Sequence, residues 1–297
     1  MRRARITITL DQNSLKDVDA LINGNTVRNR SHAIESIVRK FFSSSVNQAV
    51  ILAGGVGTKH RPYTYELPAS LLPIGGKPAL EHLIEHLRTQ HITEIVICIG
   101  HLGNKIKNYF KDGKQWGVHI TYSQENTPLM TGGALLNARK LIGNRPFLLI
   151  HGDVFTNFSF RELISFHEKE HALASVALTS VSNPEEYGQF RIHGTKLVRF
   201  LKFDSKVKKI DSHLIHAGIY VLDPEIFSFF PTSSHFLLED IIIKLISGKR
   251  VHGFVFEGNW YDVGTPIGYK KAIEAFKTSR PEVEKYTKQA LRSHKKQ

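Results

Sequence analysis

The chain has 297 residues, 41% of them hydrophobic, and a formal net charge of +13, which is enough to bury the core of one large domain or two smaller ones. No apolar run reaches the roughly 18 to 20 residues that span a bilayer, and the opening MRRARITITLDQ lacks the apolar stretch of a signal peptide, so no membrane association and a cytoplasmic location are expected. Residues 1–45 carry +4 and residues 277–297 carry +5, while the 231 residues between them add only +4; basic ends on a near-neutral body point either to a polyanion bound through the termini or to a solvated tail.

From Arg3 to Leu10, apolar Ile6, Ile8 and Leu10 alternate with polar Arg5, Thr7 and Thr9, the period of a half-buried β-strand. Asp11 and Asn13 supply cap chemistry for a helix bearing Leu15, Val18, Leu21 and Ile22, and Asn23-Gly24-Asn25 ends it. A second helix opens after Ser31 with Ile34, Ile37, Val38 and Phe41 at helical spacing. One strand and two short helices cannot enclose a core, and a lone strand has two unpaired edges, so the unit predicts a homodimer or higher oligomer. Over its full length this stretch resembles a ribbon-helix-helix DNA-binding domain. The resemblance implies a two-chain ribbon in the DNA major groove, with Arg5, Thr7 and Thr9 reading bases and Arg30 and Ser31 facing a backbone phosphate. A ribbon used only for dimerisation is the alternative. Ser43-Ser44-Ser45 reads as a short polar linker.

Ala49 to Ala53 is a continuous apolar run suited to a central parallel strand, and it empties into Gly54-Gly55-Val56-Gly57-Thr58, in outline a phosphate cradle. Cys98, the single cysteine, lies in the apolar run EIVICIG and reads as a small buried hydrophobe. The run ILAGGVGTKHRPYTYELPASLLPIGGKPALEHLIEHL resembles the opening of sugar-1-phosphate nucleotidylyltransferases. ITEIVICIGHLGNKIKNYF, YSQENTPLMTGGAL, HGDVF, EEYGQF, HAGIYVLDPEIF and WYDVGTPIGYKKAIEAF continue the resemblance in order. The wording TGGAL and YDVGTP is closest to the guanylyltransferases for mannose- or heptose-1-phosphate.

The resemblance implies an α/β fold: a Rossmann-like mixed-sheet nucleotidyltransferase domain over residues 46–276, preceded by the ribbon-helix-helix domain at 1–45 and followed by a basic tail at 277–297. The implied reaction joins a nucleoside triphosphate to a sugar 1-phosphate and releases pyrophosphate. Leu52, Ala53, Gly54, Gly55, Gly57, Thr58, Thr131, Gly132 and Gly133 would bind the nucleotide, and Tyr187, Gly188 and Glu239 the sugar. Asp153 and Asp262 would hold Mg²⁺, and Lys59 would stabilise the leaving pyrophosphate.

This sequence departs from the family at charged positions. Lys59 stands for an arginine, exchanging a bidentate fork for a point charge. Ala69, within Pro68-Ala69-Ser70, stands for the lysine of Pro-Lys-Pro, and Phe200 to Asp204 replaces a Glu-Lys-Pro. Met130 stands for a glycine and His151 for an asparagine. Arg61, Lys77 or a residue of a partner chain are the candidates to replace the missing cations. Two readings follow: an enzyme of reduced activity, or a DNA-binding regulator whose degenerate domain senses a nucleotide or sugar nucleotide.

Overall fold

The computed structural model describes residues 6–42, 45–184, 187–201, 210–248 and 250–278. They fall into two compact units divided between Ser45 and Val46.

The first unit holds helices α1 (Gln12–Ala20) and α2 (Arg30–Phe42). Asp11 caps α1, its carboxylate accepting from the Asn13 and Ser14 N–H groups at 2.8 and 3.0 Å. The helix stops at Ala20, before the asparagine-rich turn, where Asn23 Oδ1 gathers the N–H groups of Asn25, Thr26 and Val27. Among the described residues, 6–10 form no strand and pair with no other segment; an alternating segment becomes a strand only when another pairs with its edge. Ile6, Ile8 and Leu10 are consequently exposed, as are Leu21, Ile37 and Val38. Arg5, Ser43 and Ser44 lie outside the described residues, as do Lys202, Phe203 and the tail from residue 279.

In the second unit the elements run β1 (Gln48–Ala53), β2 (Pro73–Ile74), β3 (Lys77–Pro78), α3 (Ala79–Thr89), β4 (Glu94–Ile99), α4 (Gly103–Phe110), β5 (His119–Gln124), α5 (Met130–Asn137), β6 (Phe147–His151) and β7 (Val154–Thr156). They continue as α6 (Phe160–Glu170), β8 (Ala174–Ser180), β9 (Gln189–His193), β10 (Lys196–Leu201), β11 (Leu214–Leu222), α7 (Leu238–Ile246), β12 (Val251–Val255) and β13 (Trp260–Asp262). A last helix, α8, covers residues 266–278. Nine strands make one mixed sheet in the order β5-β4-β1-β6-β11-β8-β12-β10-β9. β5, β4, β1 and β6 run parallel, and β11 is antiparallel to both of its main neighbours.

The apolar runs are buried on both faces, as parallel strands between helices must be. Ile51, Ile97 and Ile150 pack with Leu80 and Ile84 of α3 on one side of the sheet. Val50, Val96 and Leu149, one residue out of step with them, pack with Leu135 of α5 and Ile241 of α7 on the other. Cys98 is buried in this second layer, where burial pushes its thiol up to about 12.

On α6, Phe160, Leu163, Ile164 and His167 follow i, i+3, i+4, i+7 and are all buried. His167 Nδ1 lies 3.0 Å from the Ser175 hydroxyl of β8, and burial pushes its imidazole down to about 4. The unfolded chain accepts a proton near pH 6.5 that the folded chain refuses until about 4, so acid favours unfolding across that window. Urea unfolding should show about 3 kcal/mol lost between pH 6.5 and pH 4 through this group. His167→Gln should flatten that slope while lowering stability at neutral pH; an unaltered slope would refute the assignment.

Candidate active site

Parallel β1 and β6 are neighbours, so their carboxyl ends deliver the glycine loop and Asp153 side by side, and the Gly152 N–H donates to Leu52 O at 2.8 Å. The loop needs its glycines for identifiable reasons. Gly57 has a φ of 66°, and a Cβ at Gly54 would come within 2.7 Å of the Glu125 carboxylate.

Asp262 reaches the same place along a separate path. β13 pairs antiparallel with β7, Asp262 opposite Val154, and the Val263 N–H donates to Asp153 O at 2.8 Å. A methyl group at Gly264 would collide with the Asp153 carboxylate and lie 3.0 Å from Asp262 Oδ1. The two carboxylates therefore flank one backbone position. Burial, then the Asp153 charge, pushes Asp262 up to about 6, against the opposing pull of Lys59 and of the Gly264 N–H at 2.9 Å.

Two cavities meet at Asp262. The first, of about 410 Å³, is lined by Leu52 to Lys59 of the loop, by Ala69 and Ser70, by Glu125, Met130 and Thr131, and by His151, Asp153 and Gly264. The second, of about 300 Å³, is lined by Ser182, Asn183, Tyr187, Trp260, Thr265 and Lys271 among others. Tyr187 OH donates to Asp262 Oδ2 at 3.3 Å.

The structure thus brings together Lys59, Asp153, Asp262, Thr131 and the loop positions 52–55, 57 and 58. It places others elsewhere. Gly132 and Gly133 lie behind the cavity, where their N–H groups donate to Phe236 O and any Cβ would strike Phe236 or Ser234. Gly188 packs against the Phe200 ring. Glu239 is buried and accepts from the Thr131 and Tyr220 hydroxyls at 2.8 and 3.2 Å. Tyr220 OH also meets His216, whose imidazole burial pushes down to about 4.

Neither cation proposed as a substitute enters these cavities. Lys77 is held by Glu85 at 2.6 Å and Glu81 at 3.5 Å, and Arg61 lies over the Tyr65 ring. Among the described residues, Lys59 is the one lysine or arginine lining the first cavity and Lys271 the one lining the second. In the first unit Thr7, Thr9 and Ser31 are exposed, but Arg30 is committed to a bidentate pair with Asp19 at 2.7 and 2.8 Å. Sequence reasoning missed Glu125 and Lys271. Glu125 was visible as a carboxylate just past a strand, and Lys271 as a cation early in the helix after YDVGTP.

The profile of the family described as Nucleotidyl transferase matches residues 48–279. The chain belongs to this nucleotidyl transferase family. Mannose-1-phosphate guanyltransferase of Schizosaccharomyces pombe is 30% identical over 246 residues, covering 80% of this chain and 67% of that protein. The Saccharomyces cerevisiae protein of the same name is 31% identical over 223 residues, covering 74% and 62%. The chain spans about two thirds of the length of these curated relatives. Among solved structures, HddC from Yersinia pseudotuberculosis complexed with GMP-PN superposes with a TM-score of 0.66 at 26% identity, covering 77% of this chain and 99% of that one. A UDP-glucose pyrophosphorylase complexed with UDP-glucose, 23% identical with a TM-score of 0.69, shares the fold. No described helix is long and apolar enough to cross a membrane.

Proposed function

We propose that the second unit joins a guanosine triphosphate to a sugar 1-phosphate, mannose 1-phosphate being the first candidate from the relatives' names. The observation that carries this is the pair of cavities sharing Asp262, with Asp153 alongside, which provides a seat for each substrate on either side of one acidic centre. A sugar phosphate oxygen attacks the α-phosphorus, a new P–O bond forms, and the α–β bridging oxygen leaves with its electron pair as pyrophosphate. The glycine loop would hold the phosphates through its N–H groups, Lys59 would balance charge on the leaving group, and Lys271 would draw the sugar phosphate into the second cavity.

Two adjacent carboxylates, one pushed up by burial and then by the other's charge, suit a bound cation. Mg²⁺ suits such a pair, because it is commonly held by one or two carboxylates plus substrate phosphates. When bound, Mg²⁺ would neutralise phosphate charge as a Lewis acid.

Glu125 supplies the base preference. Its carboxyl is pushed up by burial, opposed by the Leu129 N–H, and it lines the first cavity beside Gly54. Guanine presents two neighbouring N–H donors that a carboxylate accepts as a pair, whereas adenine offers no such pair. Pyrophosphate release should therefore be fastest with GTP, and Glu125→Gln should reduce kcat/KM for GTP about 10- to 100-fold while changing ATP little. Equal use of all four triphosphates would overturn the assignment.

The exposed alternating residues Ile6, Ile8 and Leu10 favour a second element of the proposal: two first units pair as a ribbon and bind DNA, in a cytoplasmic protein. The same preparation discriminates the readings. Turnover makes the chain an enzyme; tight nucleotide binding without turnover, with nucleotide-dependent retention on DNA, makes it a regulator. Failure to bind any duplex at low salt would remove the DNA role.

A further inference from the structure

Met130 opens α5 with a φ of 63°. That left-handed conformation is unfavourable for a long side chain and natural for glycine. It persists because the residues on both sides are tied down. The Leu129 N–H donates to Glu125 and its carbonyl accepts from the Phe236 N–H. Thr131 Oγ1 donates to Glu239 and accepts from the Leu238 N–H at 2.9 Å. The Gly132 and Gly133 N–H groups both donate to Phe236 O. With its neighbours pinned to segment 236–239, residue 130 is held in this conformation, and it stands 46% exposed on the lining of the first cavity.

A strained residue that carries an exposed apolar side chain at a ligand cavity calls for a contact that the ligand supplies. We propose that the Met130 thioether packs against the face of the bound nucleobase while Glu125 engages its edge. This rests on the nucleotide reading of the first cavity. Sulfur–aromatic contact is favourable and tolerant of orientation, and the unbranched methionine side chain can adjust over a ring that enters and leaves. Met130 is thus a nucleotide-affinity determinant that the backbone holds in place at a cost in stability.

Met130→Gly separates the two effects, because glycine relieves the backbone while removing the contact. Its Tm should rise by about 2 to 4 °C, and calorimetric titration should show GTP binding weakened about 3- to 10-fold. Binding of inorganic tripolyphosphate, which has no base, should be unchanged. Met130→Leu, which restores an apolar side chain, should keep GTP affinity within about two-fold. GTP affinity retained in the glycine variant would overturn the inference, as would equal losses for GTP and tripolyphosphate. A natural protein that binds tripolyphosphate no less tightly than GTP would instead overturn the nucleotide reading itself.

Discussion

Asp153→Asn and Asp262→Asn are each expected to lower pyrophosphate release on the order of 10³-fold with the fold intact. The two carboxylates flank Gly264, Asp153 from the turn between β6 and β7 and Asp262 from β13, so each change removes one charge of an acidic pair without altering shape. Because they act as a unit, the double variant should lose little more than either single one. Stability should move the other way. Asp262 is pushed up to about 6 from 3.8, so above pH 6 the cation-free folded chain carries an ionised carboxylate that is easier to ionise in the unfolded chain. Asp262→Asn removes that cost, and the metal-free variant should melt a few degrees higher at pH 7.5. Added Mg²⁺ should raise the Tm of the natural protein and leave the variant unmoved. Full turnover in either variant would remove the acidic centre from the reaction.

Ala69→Lys is expected to raise turnover on the order of 10²-fold or more. Ala69 lines the first cavity, opposite in character to what a triphosphate needs, and within that lining Lys59 stands alone among described lysines and arginines. A new ammonium there would meet charge as it builds on phosphate oxygens. Because Lys77 is held by two glutamates and Arg61 sits over Tyr65, neither compensates from within the described chain. A large gain would mean that the natural chain is tuned for binding over turnover, in line with a sensing role. An already fast natural protein that ignores the new lysine would mean that another group, such as a partner chain's, supplies the cation.

How much of this could be read beforehand depended on distance along the chain. The strand at residues 48–53 and its glycine loop were legible because apolar runs and turns are local features. Asp153 and Asp262 were legible through the resemblance alone. Glu239 was named as a sugar contact through the resemblance, but its bonds to the Thr131 and Tyr220 hydroxyls, 108 and 19 residues away, could not be read locally. Gly132 and Gly133 read as ligand-facing glycines, yet segment 234–236 takes the space their missing Cβ atoms leave. The alternation at Arg3 to Leu10 was real as a pattern, but a strand exists only when something pairs with it. Lys77 could not be dismissed until α3 placed Glu81 and Glu85 beneath it.

The β7–β13 ladder also bears on synthesis. It joins Val154 to Asp262, so the acidic centre closes only after nearly all of the second unit has left the ribosome. A nascent chain displays its glycine loop long before it owns a second carboxylate, and on the proposed reading a product that stops before Asp262 would lack half of the acidic centre. If ligand and metal bind as proposed, they would bind the completed second unit preferentially, and their binding energy would add to the last step of folding rather than to any earlier one.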